Sequence, residues 1–367
     1  MAPPSQILNL PTALAAASTG PASGVRSNRI APLDTDAAVN PYASFWMAGF
    51  EGADHINCHA EPQDLVRTTG HLAHLDEDYA RVAALGLRTI RESVGWRLAE
   101  PTEAAAGSVP SSRFDLTRTL ASVDAANRHG LQVLWTLMHY GIPAGVDVFA
   151  DDFAERFADF AAAAARALRG RTDRAPVYTP INEISFLAWA IAETNFIHPY
   201  RHESQQRQRG DGPRHDVGWE AKWRLIRASL RAMAAIRAED PRARFLHVEP
   251  LIHVVPTLQA PHLGWRAEEI ASYQWQAWDM LAGTLLPELG GSAEALDLLG
   301  VNYYHNCQWE METGRRLEWH LDDPRRVSLS SLLRKASKRY GRPLVIAETS
   351  HVGVGRPRWL DHVAEQV

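Results

Sequence analysis

The sequence predicts an α/β fold of the (β/α)8 barrel type, with about seven strand–helix units present and the eighth missing. Three observations predict it. From Phe45 onward, short apolar runs alternate with Ala/Leu/Arg-rich runs whose apolar residues recur every three to four positions, the pattern of parallel strands joined by helices. No glycine-rich phosphate loop follows the first strand, which argues against an open doubly wound sheet. Polar and charged residues collect at the C-terminal ends of nearly all the strands, where barrels carry their sites, rather than at one switch point.

In chain order, residues 1–40 are rich in Ala, Pro, Ser, Thr and Gly and read as a disordered tail. No Lys or Arg precedes Arg26, and Pro11 interrupts the run from Leu10 to Ala17, so no signal peptide is expected and the location defaults to cytoplasmic. Residues 41–367 form the barrel domain. Its strands are expected at Phe45–Ala53, Leu87–Trp96, Leu131–Tyr140, Pro176–Ile184, Ala243–His253, Leu296–Tyr304 and Pro343–Glu348. Helices are expected at Leu75–Leu85, Leu116–His129, Phe153–Leu168, Trp219–Ala238, Trp265–Leu285 and Leu329–Tyr340, with Arg358–Val367 opening a seventh. Asp76, Asp115 and Asp151 lie near helix starts, where a carboxylate suits the dipole. Gly86, Gly130 and Gly341 follow helices, as C-terminal caps do.

Composition narrows the function. Hydrophobic residues make up 46% and charged residues 22%, a globular balance that excludes global disorder. A net charge of −5 leaves no cationic surplus for phosphate backbones or anionic lipid, so neither nucleic acid nor membrane is expected as a partner. Two cysteines, Cys58 and Cys307, exclude a disulfide scaffold and a multi-cysteine zinc site. Twelve tryptophans suit core packing and also aromatic platforms for a sugar ring.

The strand ends carry the chemistry. Strand one ends near Glu51, Asp54 and His55. Strand two carries Arg91 and Glu92, strand three ends in His139-Tyr140, and strand four in Asn182-Glu183. Strand five carries His247, Glu249 and His253, strand six ends in Asn302-Tyr303-Tyr304, and strand seven in Glu348. A carboxylate at the end of a buried strand is costly unless it is paired. Seven such ends favour a site over seven separate ion pairs. Glu183 and Glu348 stand on strands four and seven, opposite each other in an eight-stranded barrel. A retaining glycosidase needs two carboxyl groups about 5 Å apart, one ionised and one protonated.

At these residues the chain resembles the family 1 glycoside hydrolases, the β-glucosidase and β-galactosidase group of retaining (β/α)8 enzymes. The resemblance runs from about Phe45 to Glu348. It rests on Ile90-Arg91-Glu92-Ser93-Val94-Gly95-Trp96 with Pro101, on Thr136-Leu137-Met138-His139-Tyr140-Gly141-Ile142-Pro143 and on Asn182-Glu183. It rests equally on Asp297-Leu298-Leu299-Gly300-Val301-Asn302-Tyr303-Tyr304 and Val345-Ile346-Ala347-Glu348. It implies a small-molecule carbohydrate substrate, no cofactor and no metal. Glu348 would be the nucleophile and Glu183 the acid/base, with Asn182 on the sugar 2-hydroxyl and His139 on another hydroxyl. Arg91 would keep Glu348 ionised. Asn302 and Tyr304 share an inward face, so Tyr304 could donate to Glu348 while Tyr303 packs outward. His55 would stand for the family's first-strand Gln, and Glu249 would line the sugar site. The chain departs from the family at Ile184 for Pro, at Thr349-Ser350 for Asn-Gly and at Tyr140 for Trp.

Two other readings compete. One is a sugar-binding or truncated barrel without turnover, suggested by the missing eighth unit. The other is a metal hydrolase using His247, Glu249 and His253, three residues that a single strand could turn inward. The thiols read as inert, and Glu310–Glu318, with Trp309 and Trp319, reads as a loop or hairpin flanking the pocket. The sugar, the linkage and the oligomeric state are open.

Overall fold

The structure, a computed structural model, describes residues 40–100, 113–201 and 216–367. The expected N-terminal tail, apart from Asn40, lies outside the described residues. Seven parallel strands form a nearly closed barrel in sequential order: β1 (Ala48–Gly49), β2 (Thr89–Ser93), β3 (Gln132–Met138), β4 (Val177–Ile181), β5 (Arg244–Pro250), β6 (Leu298–Asn302) and β7 (Leu344–Glu348). Each falls inside its expected run. The first is much shorter than expected. The chain closes on β2 just beyond it: a Cβ at Gly52 would lie 2.4 Å from Ser93 Cβ. Among the described residues, no strand pairs with the outer edge of β1 or β7. All five residues of β7 are partly exposed, whereas all five of β6 are buried.

The helices longer than four residues are α1 (Leu75–Ala84), α2 (Thr117–Arg128), α3 (Phe153–Leu168), α4 (Ile184–Glu193), α5 (Val217–Glu239), α6 (Gly264–Ser272), α7 (Gln276–Leu281), α8 (Leu329–Tyr340) and α9 (Arg356–Ala364). α3 and α8 match their expected bounds, because each pairs a clear apolar stripe with a polar back. Gly86, Gly130 and Gly341 all adopt positive φ after their helices, the conformation that ends a helix without a Cβ clash. The run Trp265–Leu285 is not one helix. It breaks at Tyr273–Trp275, where the Gln274 amide accepts from Ile252 N–H at 3.0 Å and donates to Ile252 C=O at 3.2 Å. α4 has no counterpart among the expected helices. Eight of its ten residues are buried, so it carries no polar face for periodicity to reveal.

Two cores result from the alternation of each strand. Leu134, Val177, Leu246, Val248 and Leu298 fill the barrel interior, with Met47, Val345 and Ala347 against them. The opposite strand faces meet the helices in a larger core, where Trp96 packs on Phe153, Phe157 and Phe160. Aromatic contacts of this kind add about 0.5–1.5 kcal/mol each beyond area burial, enough to anchor α3 on the turn after β2. Gln308–Glu310 pairs with His253–Val255 in a separate two-stranded sheet above the barrel. From there residues 308–317 turn back as a hairpin, with Trp309 bridged to Arg316 and Glu310 N–H donating to Arg315 C=O at 2.9 Å.

Candidate active site

The C-terminal ends of β2, β3, β4, β6 and β7 bring Arg91, His139, Asn182, Glu183, Asn302, Tyr304 and Glu348 to one mouth. Strict alternation on β7 puts Val345 and Ala347 inside the barrel, so Glu348 would face outward. The β6–β7 pairing shifts register between Ile346 and Glu348. A bulge of this kind re-aims the following side chain, and here it turns Glu348 into the mouth. Arg91 Nη1 donates to Glu348 Oε1, and Tyr304 Oη donates to Oε2 at 2.6 Å. Tyr303, one residue away, packs outward on Trp359 with ring centroids 5.7 Å apart.

Glu183 sits where β4 becomes α4. Its backbone is left-handed, φ 48° and ψ 60°, a conformation that costs a non-glycine residue about 1–3 kcal/mol. The turn lifts the carboxyl off the strand direction. Asn302 Nδ2 donates to Glu183 Oε1 at 2.9 Å, and Tyr140 Oη donates to Oε2. A hydrogen-bonded chain links the two carboxylates. Arg91 Nη2 donates to Asn182 Oδ1 at 2.7 Å, and Asn182 Nδ2 donates to Tyr140 Oη at 3.2 Å.

The two carboxyl groups titrate in opposite directions. Burial pushes Glu183 up to about 8, and the negative charge of Glu348 adds to the rise. Burial acts on Glu348 too, but Arg91, then His139 and Tyr304, overcome it and hold Glu348 down at about 2. Arg91 is the deciding cation. His139 Nε2 stands 3.8 Å from Glu348 Oε1, and burial lowers the His139 pKa against the pull of that carboxylate.

Two expected site residues, His55 and Glu249, make no hydrogen bond to the carboxyl pair. His55 is not on a barrel strand. It lies on Asp54–Ile56, which pairs antiparallel with Pro62–Asp64 and docks on the end of β3 through Asp54 N–H to His139 C=O at 3.2 Å. Burial holds His55 down at about 4. Glu249 faces away from the mouth. Leu246 and Val248 point into the barrel, so the period of two sends His247 and Glu249 outward to the helix layer. The trio of the competing metal reading does not converge, because each member is held by its own partner. His247 bonds Ala295 C=O at 2.9 Å, Glu249 accepts from Ser185 N–H at 3.1 Å, and His253 bonds Arg325 C=O at 3.2 Å from the separate sheet. Among the described residues no group of three His, Cys, Asp or Glu could hold a metal ion.

The sequence placed Tyr140 at the end of strand three and as a departure from Trp, with no partner. Its hydroxyl is a direct partner of Glu183, and its backbone has φ 76°. The Tyr140-Gly141-Ile142-Pro143 turn was the available signal: a Cβ at Gly141 would lie 1.9 Å from Asp54 Oδ2, so only glycine lets that turn close. Cys307 is buried, and burial pushes its thiol up to about 12, while Cys58 is exposed.

The chain has the fold of the β-glucosidases. It matches a hyperthermophilic β-glucosidase mutant with a TM-score of 0.62 at 15% identity, covering 88% of this chain and 85% of that one. A family 1 β-glucosidase from Thermotoga maritima gives a TM-score of 0.54 at 18% identity, over 81% of this chain and 73% of that one. The virulence factor SghA from Agrobacterium tumefaciens gives 0.57 at 20% identity, over 81% and 72%. No protein-family model matches the sequence, and no curated protein matches it. No helix among the described residues is long and apolar enough to cross a membrane.

Proposed function

We propose that this chain is a retaining β-glycosidase acting on β-glucosides or β-galactosides. One observation carries the reading. Two carboxyl groups share a barrel mouth, and their surroundings drive one to stay ionised and the other to stay protonated near neutral pH. Glu348 is the nucleophile. Its carboxylate attacks the anomeric carbon as the bond to the leaving oxygen breaks, and Glu183 gives that oxygen its proton. The covalent glycosyl-enzyme is then hydrolysed by a water whose proton returns to Glu183, restoring both groups. Asn182, His139 and Asn302 bind sugar hydroxyls. Arg91 and Tyr304 hold Glu348 ionised and oriented.

The test is hydrolysis of aryl β-glucosides and β-galactosides, with the first-formed anomer read by NMR. A 2-fluoro-glycoside should trap the intermediate on Glu348, found by peptide mass spectrometry, and Glu348→Gln should abolish turnover. An inverted anomer, or a label on another residue, would refute the assignment. A non-catalytic sugar-binding barrel is the second reading. It is favoured by the outer edge of β7, the strand that carries Glu348, with which no strand among the described residues pairs. Sugar binding without any turnover by the unaltered chain would decide for it.

A further inference from the structure

Glu249 is left without a task in the reading above. It is 2% exposed, on the helix-facing side of β5, and it reaches the mouth only through its charge, which adds to the rise of the Glu183 pKa. Both of its carboxylate oxygens accept from one backbone group, Ser185 N–H, at 3.1 and 3.3 Å. Ser185 is the second residue of α4, and Glu183 immediately precedes that helix in left-handed backbone. The neighbouring residue of β5 holds the same turn from below, because Glu183 N–H donates to Val248 C=O at 3.0 Å. On the other flank Asn182 N–H donates to Met138 C=O at 3.0 Å. The left-handed turn is therefore clamped at three points along 182–185, and one clamp is a buried carboxylate.

A carboxylate at this place is costly to bury: burial pushes Glu249 up to about 7, against the opposing pull of Ser185 and Lys222. The first N–H groups of a helix have no partner within it and carry its positive end. Lys222, itself 5% exposed on α5, adds its field to Glu249, while its ammonium donates to Gln276 Oε1 at 2.6 Å. An apolar side chain at position 249 would pack in this layer beside α4 and α5 without any such requirement. The burial of a charge where an apolar group would do points to a purpose other than packing.

We infer that Glu249 is a positioning residue for Glu183: its carboxylate grips Ser185 N–H and locks the left-handed turn that aims the Glu183 carboxyl at the leaving-group oxygen. The inference rests on the assignment of Glu183 as acid/base. It predicts a loss confined to proton delivery. Displacing a catalytic group by about 1 Å can cost roughly a hundredfold, and a leaving group that departs without a proton is indifferent to that displacement.

The experiment compares Glu249→Gln, close to isosteric, and Glu249→Leu/Lys222→Met, which removes the buried charges together, with the unaltered chain. Glycosylation rates are measured on a dinitrophenyl glycoside and on a phenyl glycoside, and amide hydrogen exchange is read at Ser185. Expected are near-normal rates on the dinitrophenyl substrate, a loss of about ten- to a hundredfold on the phenyl substrate, and faster exchange at Ser185 with α3 and α5 unchanged. Equal losses on both substrates, or no loss on either, would overturn the inference. If the unaltered chain hydrolyses neither substrate, the glycosidase reading has failed by itself. Hydrogen exchange then tests the clamp alone, and unchanged protection at Ser185 in the folded variants overturns it.

Discussion

Arg91 and Tyr140 act on the two carboxyls with opposite consequences, which makes them separable by pH. Arg91 favours the charged form of Glu348, so removing the cation must raise that pKa. Arg91→Met should move the acid limb of the kcat/KM profile to higher pH and cut turnover by about 10²-fold or more. An acid limb left in place would reduce Arg91 to packing. Tyr140 donates to Glu183 and so favours its ionised form, against the larger effect of burial. Tyr140→Phe should raise the Glu183 pKa further and carry the basic limb to higher pH, as a pH profile would show. The Arg91–Glu348 pair was legible through the family resemblance, but the bond from Tyr140 to Glu183 was not. Arg91 and Glu348 are 257 residues apart, and only the barrel makes them neighbours.

Between β2 and α1, His71 links two elements through a charge. Its Nε2 bonds Glu92 Oε1 at 3.0 Å, its Nδ1 bonds Asp78 Oδ2 at 2.8 Å, and Phe50 stacks on the ring at 3.8 Å. Burial disfavours the imidazolium, but the two carboxylates outweigh it and raise the pKa. The folded-state value lies above the unfolded value of about 6.5. The contribution to stability is therefore complete below about pH 6.5 and is lost as pH rises through the folded value. The difference in Tm between the unaltered chain and His71→Gln should shrink across that interval. A difference independent of pH would show that the ring contributes by stacking alone. Gly300 on β6 makes an element-scale demand of another kind. A Cβ there would lie 2.7 Å from Val248 Cγ2 and 3.3 Å from Ala347 Cβ, inside the barrel. Gly300→Ala should destabilise by about 1–3 kcal/mol. Gly264→Ala at the start of α6, where nothing lies within 4 Å of the new atom, should leave the urea midpoint unchanged or slightly higher. Strand and helix bounds came through periodicity wherever one face is polar. They failed at α4, buried on nearly all sides, and at the Gln274 break, which depends on the backbone of Ile252.

At the scale of the molecule, no strand among the described residues pairs with the outer edges of β1 and β7, and such an edge is a template for further pairing. The described residues alone should therefore show a gradient around the barrel. Amides of Leu344–Glu348 that point away from β6 should exchange much faster than those of Leu298–Asn302, which are paired on both sides. Sedimentation should show association that grows with concentration. Slow exchange throughout β7 in a monomer would mean that another segment covers the edge.

Composition, periodicity and motif order were sufficient for the α/β alternation, for the seven strand positions and for singling out Glu183 and Glu348 as the candidate pair. Each depends on local pattern, and a strand or helix writes its period into the residues that form it. Three matters depended on the tertiary structure. The bulge near Ile346 turns Glu348 inward against its own alternation. The phase of β5, set by Leu246 and Val248 inside the barrel, sends Glu249 behind the site. The hydroxyl of Tyr140 reaches Glu183 across 43 residues of chain. All three are contacts between elements distant in sequence, and no local pattern records which face of one element meets which face of another.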